Sequence, residues 1–114
     1  MARRRGQTAT AQAYADSVRR AFEPWLRRDP ADGLVRAGLA MTYAWLGQRA
    51  EAAREAGDAL RTILSYGNAE VEMDAREWIA AAYAQIGEHD AAIDQLEYLL
   101  SHPSKLQRLV EGKP

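Results

Sequence analysis

The feature that most constrains this chain is an internal repeat with a period of 40 residues. The segment Tyr43–Ala53 aligns with the segment Tyr83–Ile93, and each contains a glycine, Gly47 or Gly87, four residues after its tyrosine. Glycine is favoured directly after a helix because it adopts the left-handed backbone conformation that ends the helix. Apolar residues at helical spacing lie on both sides of each glycine, so the repeat predicts two helical hairpins of similar structure.

Composition supports an all-α fold. The 114 residues include 23 alanines and 11 leucines but only 12 valine, isoleucine and threonine residues together. Alanine has the highest helix propensity, and β-branched residues favour strands. Alanine also allows helix axes to approach toward the short end of the usual range of roughly 8–10 Å. We therefore expect a tightly packed array of five or six antiparallel helices.

The spacing of apolar residues predicts where these helices begin and end. The predicted helices run from about Thr10 to Arg28, Leu34 to Leu46, Arg49 to Tyr66, Ala69 to Ile86, His89 to Ser101 and Lys105 to Val110. We expect a single domain over residues 10–111, with hairpins at about 34–66 and 70–101 after the lone first helix 10–28. Residues 1–9 are predicted to form a flexible arm and residues 112–114 a frayed end. Pro24 predicts a kink in the first helix, and Gly57 predicts close contact with a neighbouring helix.

Charge and residue usage exclude several classes of protein. The 15 basic and 16 acidic residues nearly cancel, which argues against a nucleic-acid binder. Cysteine is absent, so neither disulfides nor thiolate metal sites can form. The chain has no apolar run near the roughly 20 residues that cross a bilayer and no secretory signal pattern. We therefore predict a soluble cytoplasmic protein without a membrane partner.

Candidate chemistry is sparse. His89 is expected at a helix surface and His102 in a loop. Acidic residues cluster in the third helix and at the start of the fourth, close in sequence to arginines, and we interpret both clusters as solvated faces. No phosphate-binding glycine loop or nucleophile motif is present. The sequence therefore predicts no enzyme, no cofactor, and no catalytic or metal-ligating residues.

The two hairpins resemble the tetratricopeptide repeat (TPR) family. The positions that carry the resemblance are the pairs Ala40/Ala80, Tyr43/Tyr83, Gly47/Gly87 and Ala52/Ala92, together with Asp29-Pro30 at the end of the first helix. The early tryptophan of the family is absent, and Arg36 and Arg76 stand in its place. The resemblance covers about residues 13–104, although the 40-residue period exceeds the family's usual 34. It implies a short right-handed solenoid of stacked antiparallel hairpins.

A narrower resemblance is to the C-terminal TPR region of large bacterial proteins that carry kinase, cyclase or regulator modules. It rests on the segments Tyr14–Ser17, Leu46-Gly47 and Gly87–Ser101. These 114 residues contain none of those modules. The resemblance implies a segment that binds other proteins, or a regulatory accessory domain for a catalytic protein.

The TPR resemblance also implies a concave groove lined by the first helix of each hairpin. The residues expected there are Leu34, Ala37, Met41, Ala44, Trp45, Asp74, Glu77, Ala81 and Gln85. An apolar part beside an acidic part suits a peptide or helix with an apolar anchor and a basic residue. Trp25 and Trp78 are instead expected in the core. Two alternatives remain: the chain's own terminal segments fill the groove, or exposed apolar faces pair two copies as a homodimer.

Overall fold

The computed structural model describes residues 2–64 and 69–102, and the regular elements in this part of the chain are all helices. The five helices are α1 (Ala2–Arg28), α2 (Gly33–Trp45), α3 (Arg49–Leu64), α4 (Ala69–Gln85) and α5 (His89–Leu100). The prediction of an all-α fold is therefore confirmed. The predicted sixth helix, Lys105 to Val110, and the frayed residues 112–114 lie outside the described residues. None of the described helices combines the length and the apolar character needed to span a bilayer.

Helix α1 differs most from its predicted extent. It begins at Ala2, so the predicted start at Thr10 is wrong by eight residues. The prediction relied on apolar periodicity, which reports a buried face. Six of the residues 2–9 are alanine, arginine or glutamine, which have high helix propensity, and apolar periodicity does not report propensity. At the other end, α1 continues through Pro24 to Arg28.

In each hairpin one glycine ends the first helix, as the sequence predicts. Gly47 and Gly87 have φ angles of 78° and 85°, and they are the described glycines with positive φ. After α2, the amide of Gly47 donates to the carbonyl of Ala44 at 3.1 Å, and Gln48 donates to Tyr43 at 2.9 Å. The same pair of bonds recurs 40 residues later, after α4. These bonds satisfy carbonyl groups that the helix end leaves without a partner.

Helix α2 lies at the centre of the described fold. It packs against α1, α3 and α4, while α4 also contacts α3 and α5. Small side chains make this packing possible, because several alanines of these helices are fully buried. They are Ala37, Ala40, Ala52, Ala56, Ala59, Ala75 and Ala82. At the start of α2, a Cβ atom on Gly33 would lie only 2.6 Å from Cγ2 of Ile63, so α2 and α3 approach closely there.

Each hairpin contains an arginine that bridges its two helices at equivalent positions; Arg36 is partly buried and Arg76 is buried. Arg36 Nη1 donates to Glu55 Oε2 at 3.1 Å, and 40 residues later Arg76 Nη1 donates to Gln95 Oε1 at 2.8 Å. Arg76 also donates to Glu72 at 3.0 Å. Glu55 and Glu72 are buried, so the prediction that their clusters are solvated faces is wrong for these two residues. The arginines occupy the positions where the TPR pattern has tryptophan.

Candidate partner-binding site

An open apolar cavity of about 390 Å³ lies between α1, α2 and α4. We call it the α2 groove, because α2 contributes its floor. Its lining consists almost entirely of apolar and aromatic side chains. The lining residues are Ala11, Tyr14, Ala15, Val18 and Phe22 from α1, Gly38, Met41, Thr42 and Trp45 from α2, and Trp78 from α4.

The floor of the α2 groove comes from one face of α2. Gly38, Met41, Thr42 and Trp45 follow the spacing i, i+3, i+4, i+7, which places them on one side of a helix. Packing requires a glycine at position 38, because a Cβ atom there would lie only 2.8 Å from Cε2 of Phe22. The hydroxyl of Thr42 donates to the carbonyl of Gly38 at 2.7 Å, so its polar atom is satisfied within the helix. The floor therefore offers an apolar surface to a ligand.

A polar network fixes the α1 wall of the groove against α2. The hydroxyl of Tyr43 donates to Glu23 Oε2 at 2.7 Å, which joins the two helices. Within α1, Arg19 Nη1 lies 3.6 Å from Glu23 Oε1, and Arg19 also pairs with Asp16. The network lies mainly on α1, and it holds Glu23 in position to accept from α2. It thereby fixes the separation of Tyr14, Val18 and Phe22 from the floor.

Two groups in this network have displaced pKa values. Burial is the main cause that raises the pKa of Tyr43 to about 12, and the hydrogen bond to Glu23 adds to it. The hydrogen bond from Arg19 holds the pKa of Asp16 below its usual value. Near neutral pH, Tyr43 is therefore a neutral donor and Asp16 a carboxylate. Neither group faces an unsatisfied partner, so we assign the network a positioning role.

The residues predicted on α2 divide into two groups. Met41 and Trp45 line the α2 groove, and Trp45 is 50% exposed. Ala37 and Ala44 are buried in the core, so their predicted place on the groove surface is wrong. Leu34 packs against the core and lines a different cavity near the start of α2. The reason is that three helices surround α2, which leaves only a narrow sector of it uncovered.

The residues predicted on α4 are all exposed, but none of them lines the cavity. They are Asp74, Glu77, Ala81 and Gln85. The α4 contribution is instead Trp78, four residues after Asp74 and next to Glu77 in the chain. Trp78 is half-buried, packs against the core and faces the cavity, so it is both a core and a groove residue. The acidic residues Asp74 and Glu77 are exposed on the same helix, outside the cavity lining.

The sequence prediction missed the α1 wall. The stripe that contains Tyr14, Val18 and Phe22 is recognisable from its spacing, and the sequence gives no sign that it faces an open groove. In the structure Tyr14 is 75% exposed. Trp25 was predicted in the core, and that prediction is wrong because it is 46% exposed and packs edge to face on Phe22. Spacing identifies an apolar stripe, but the neighbouring helix decides how much of it is covered.

The second cavity, about 510 Å³, offers less to a ligand. It lies where the α1–α2 turn meets the ends of α3 and α4, and its lining mixes polar and apolar residues: Asp29, Ala31, Asp32, Gly33, Leu34, Ile63 and Val71. The Asp32 carboxylate is already engaged, since it accepts the Val35 amide at 3.1 Å and caps α2. Among residues 2–64 and 69–102, no group of three His, Asp or Glu side chains is placed to hold a metal ion.

Comparison of the chain with models of protein families, with curated proteins and with solved structures finds no match.

Proposed function

We propose that this protein is a non-catalytic interaction module of the TPR type that binds an amphipathic helix or peptide in the α2 groove. The single observation that carries the proposal is the apolar cavity of about 390 Å³ in which Met41 and Trp45 form part of the floor. Half-exposed aromatic side chains beside a concave apolar surface are typical anchors for protein ligands. A cytoplasmic location is part of the same proposal.

The equivalence of the two hairpins supports the TPR part of this proposal. The hairpins α2–α3 and α4–α5 end their first helices with the same glycine turn. They also carry bridging arginines at equivalent positions, Arg36 and Arg76. Helix α2 packs on the equivalent helix α4, as stacked repeats do. A short right-handed solenoid is the arrangement that we propose for these contacts.

The arrangement of α1 and α4 supports a helix as the ligand. Both pack on α2, yet in the described chain no Cα atom of α1 lies within 8 Å of one in α4. A channel bounded by two helices and floored by a third matches the recognition mode in which an amphipathic helix places its apolar face in a groove. Met41 adds an adaptable side chain to that surface.

The charges beside the groove indicate the polar part of the ligand. Asp74 and Glu77 are exposed on α4, four residues and one residue before Trp78, which enters the cavity. Carboxylates at the edge of an apolar site attract a ligand with lysine or arginine and repel an acidic one. We therefore expect the preferred ligand to combine an apolar anchor with at least one basic residue.

The test uses a displayed library of random helical peptides, selected on the parent protein. Enriched peptides should share a large apolar residue and a lysine or arginine. Trp45→Ala should weaken their binding by about 30-fold, because a central tryptophan contributes about 2 kcal/mol or more. Trp25→Ala is the matched control, since Trp25 is similarly exposed but lies outside the groove lining. Circular dichroism must show that both variants keep the parent's helix content.

Two results would contradict the proposal. The first is that the selection enriches no peptide above background. The second is that Trp45→Ala and Trp25→Ala weaken binding equally. A double variant, Asp74→Lys with Glu77→Lys, tests the charge argument separately, and it should shift the selected peptides from basic to acidic.

The alternative of an assembly module has one observation in its favour. Helix α5 exposes Ile93, Leu96 and Leu100, an apolar stripe on which a second copy of the chain would have a surface to pack. Light scattering over a range of concentrations distinguishes the two functions, because self-association doubles the mass of 12.7 kDa. The role of a regulatory accessory domain for a kinase or cyclase stays a prediction from the sequence resemblance.

A further inference from the structure

The α2 groove is rich in aromatic rings. Four of its ten lining residues are aromatic, against 8% of the whole chain. They are Tyr14 and Phe22 from α1, Trp45 from α2 and Trp78 from α4, so the rings come from three helices. The ten lining residues, all in the described part of the chain, include none with a charged side chain. A ligand in this cavity therefore meets aromatic rings from several directions and no charge.

The four rings are separate from one another and open to a ligand. A Cβ atom at Gly38 would lie 2.8 Å from Cε2 of Phe22 and 3.5 Å from Cζ3 of Trp78, so two of the rings converge on one point of the floor. The ring pairs in the described part of the chain join none of the four to another. Tyr14 and Trp45 are at least half exposed. Rings that do not stack on one another leave their faces available for a ligand.

The electrostatics of the groove favour a positively charged group. The face of an aromatic ring is negative and attracts cations. The second hairpin already contains such a contact, since the Arg76 guanidinium carbon lies 3.6 Å from the centroid of the Tyr98 ring. Beside the groove, the exposed Asp74 lies one turn before Trp78, on the same side of α4, and the exposed Glu77 directly precedes it. Carboxylates at these positions attract a cation toward the rings.

The apolar lining selects among cations. The ammonium group of an unmodified lysine has three N–H donors that need acceptors. The side-chain oxygen atoms of the lining are the hydroxyls of Tyr14 and Thr42, and Thr42 is already bonded to the carbonyl of Gly38 at 2.7 Å. A donor that loses water without gaining an acceptor costs free energy. A trimethylated ammonium group has no N–H donor, so it enters the cavity without that cost and keeps its attraction to the rings.

We propose that the basic residue of the ligand is a lysine trimethylated at its side-chain nitrogen, and that Tyr14, Trp45 and Trp78 hold this group in the α2 groove. The apolar stem of the lysine side chain suits the rest of the lining. A phosphocholine headgroup has the same quaternary ammonium, but its phosphate would be repelled by Asp74 and Glu77. The inference rests on the proposed function, because it specifies the ligand chemistry of the same groove.

Three probes that differ only at the end of one side chain test the proposal. They are the Nα-acetyl amides of trimethyllysine, of lysine, and of the neutral analogue in which carbon replaces the trimethylammonium nitrogen. NMR titration of the 114-residue chain follows the indole N–H signals of Trp45 and Trp78. The trimethyllysine probe should shift both signals and bind about tenfold more tightly than the neutral analogue, because the charge adds to the same apolar contact. The lysine probe should also bind about tenfold more weakly than trimethyllysine.

A pair of variants assigns the preference to the groove. Trp45→Leu keeps an apolar side chain and removes one ring, so it should lower the preference for trimethyllysine over the neutral analogue to about threefold or less. Trp25→Leu is the matched control, because Trp25 is similarly exposed but lies outside the lining, and it should leave the preference unchanged. Circular dichroism checks the helix content of both variants. The comparison of probes on the parent needs no variant, so a folding defect in a variant leaves that test intact.

Three results would overturn the inference. One is equal binding of the trimethyllysine probe and the neutral analogue, which would leave the proposed function intact, since the groove would then accept apolar groups without regard to charge. Another is that no probe shifts the Trp45 and Trp78 signals. The third is that the protein sediments with phosphatidylcholine vesicles and is released by the trimethyllysine probe, which would assign the groove to a lipid headgroup. The selection of random peptides contains no methylated lysine, so its failure counts against the proposed function separately.

Discussion

Replacing Arg36 by methionine tests whether the bridging arginine of the first hairpin, which is partly buried, holds its two helices together. Arg36 Nη1 lies 3.1 Å from Glu55 Oε2 and 3.7 Å from Asp58 Oδ2, and its Nε donates to the carbonyl of Pro30 at 3.0 Å. Methionine keeps most of the aliphatic length of arginine and removes the charge and the hydrogen bonds. The substitution therefore changes the polar contacts more than the packing.

The expected loss follows from what remains around Glu55. Its side chain is only 9% exposed, and the ion pair left to it is with Arg54, at 3.9 Å. Removing one partner of a buried pair costs about 3–5 kcal/mol, because the other charge stays buried without compensation. The Arg36 side chain is 19% exposed, so water reaches part of this site. We therefore expect the lower end, a decrease of about 3 kcal/mol in the free energy of unfolding.

Arg54→Met is the matched control for this change. It makes the same substitution beside the same carboxylate, but the Arg54 side chain is 65% exposed. Exposed ion pairs contribute about 0–1 kcal/mol. Urea unfolding followed by circular dichroism measures both variants, and Arg36→Met should also lower Tm by roughly 10–20 °C. If Arg36→Met destabilises the protein no more than Arg54→Met does, the reasoning from burial is refuted.

The second hairpin supplies a further check, because it has Gln95 where the first has Glu55. Arg76 donates to the Gln95 amide oxygen at 2.8 Å, so the bridge forms without a carboxylate at this position. Glu55→Gln should therefore cost only about 1 kcal/mol. Combined with Arg36→Met it should recover part of the loss, since no buried charge is left over. Additive losses would contradict this account.

The remaining predictions concern glycines and alkaline pH. Gly57→Ala should stabilise the protein by about 1 kcal/mol in thermal unfolding, because glycine weakens a helix and, among the described residues, the added Cβ would meet only Arg61 Nη1, at 3.7 Å. Gly47→Ala should destabilise it by about 1 kcal/mol, because φ is 78° there although space is open; a neutral result would contradict the strain argument. The pKa of Tyr43 is raised to about 12, so folding favours its neutral form, and this contribution to stability is complete below the unfolded pKa of about 10. Urea unfolding should therefore show that the free energy of unfolding declines as pH rises from about 10 toward 12. The Tyr43→Phe variant should lose less stability than the parent over that range.

Much of the secondary structure could be predicted because its signals are local. Helices α2–α5 lie close to their predicted extents, and the glycine turns at Gly47 and Gly87 are confirmed by positive φ angles. Apolar spacing and glycine conformational freedom act within a few residues of the chain. The prediction that Gly57 contacts a neighbouring helix was wrong, because such a contact depends on tertiary packing and not on a local signal. It assumed a close neighbouring helix, and among the described residues the atom found within 4 Å of a Cβ at Gly57 is Arg61 Nη1, from the same helix.

The candidate site could be predicted only in part. The family resemblance predicts Met41 and Trp45 on a groove surface, and both line the α2 groove. Ala37 and Ala44 were selected by the same pattern and are buried, because a helix enclosed by three others exposes only a narrow sector. The contribution of Trp78 depends on how α4 packs on α2, and the position of Tyr14 depends on how α1 does. Sequence spacing contains no information on those packing distances.

The sequence by itself determined that the chain is helical, where its hairpins turn and that its two hairpins are equivalent. These properties depend on helix propensity, apolar periodicity and glycine, which act along the chain. The tertiary structure alone decided which apolar residues are covered. It leaves Trp45 and the outer face of α5 open, and it buries Glu55 beside Arg36. The reason is that burial depends on which helices are neighbours in space, and residues 19 positions apart in the chain make that contact.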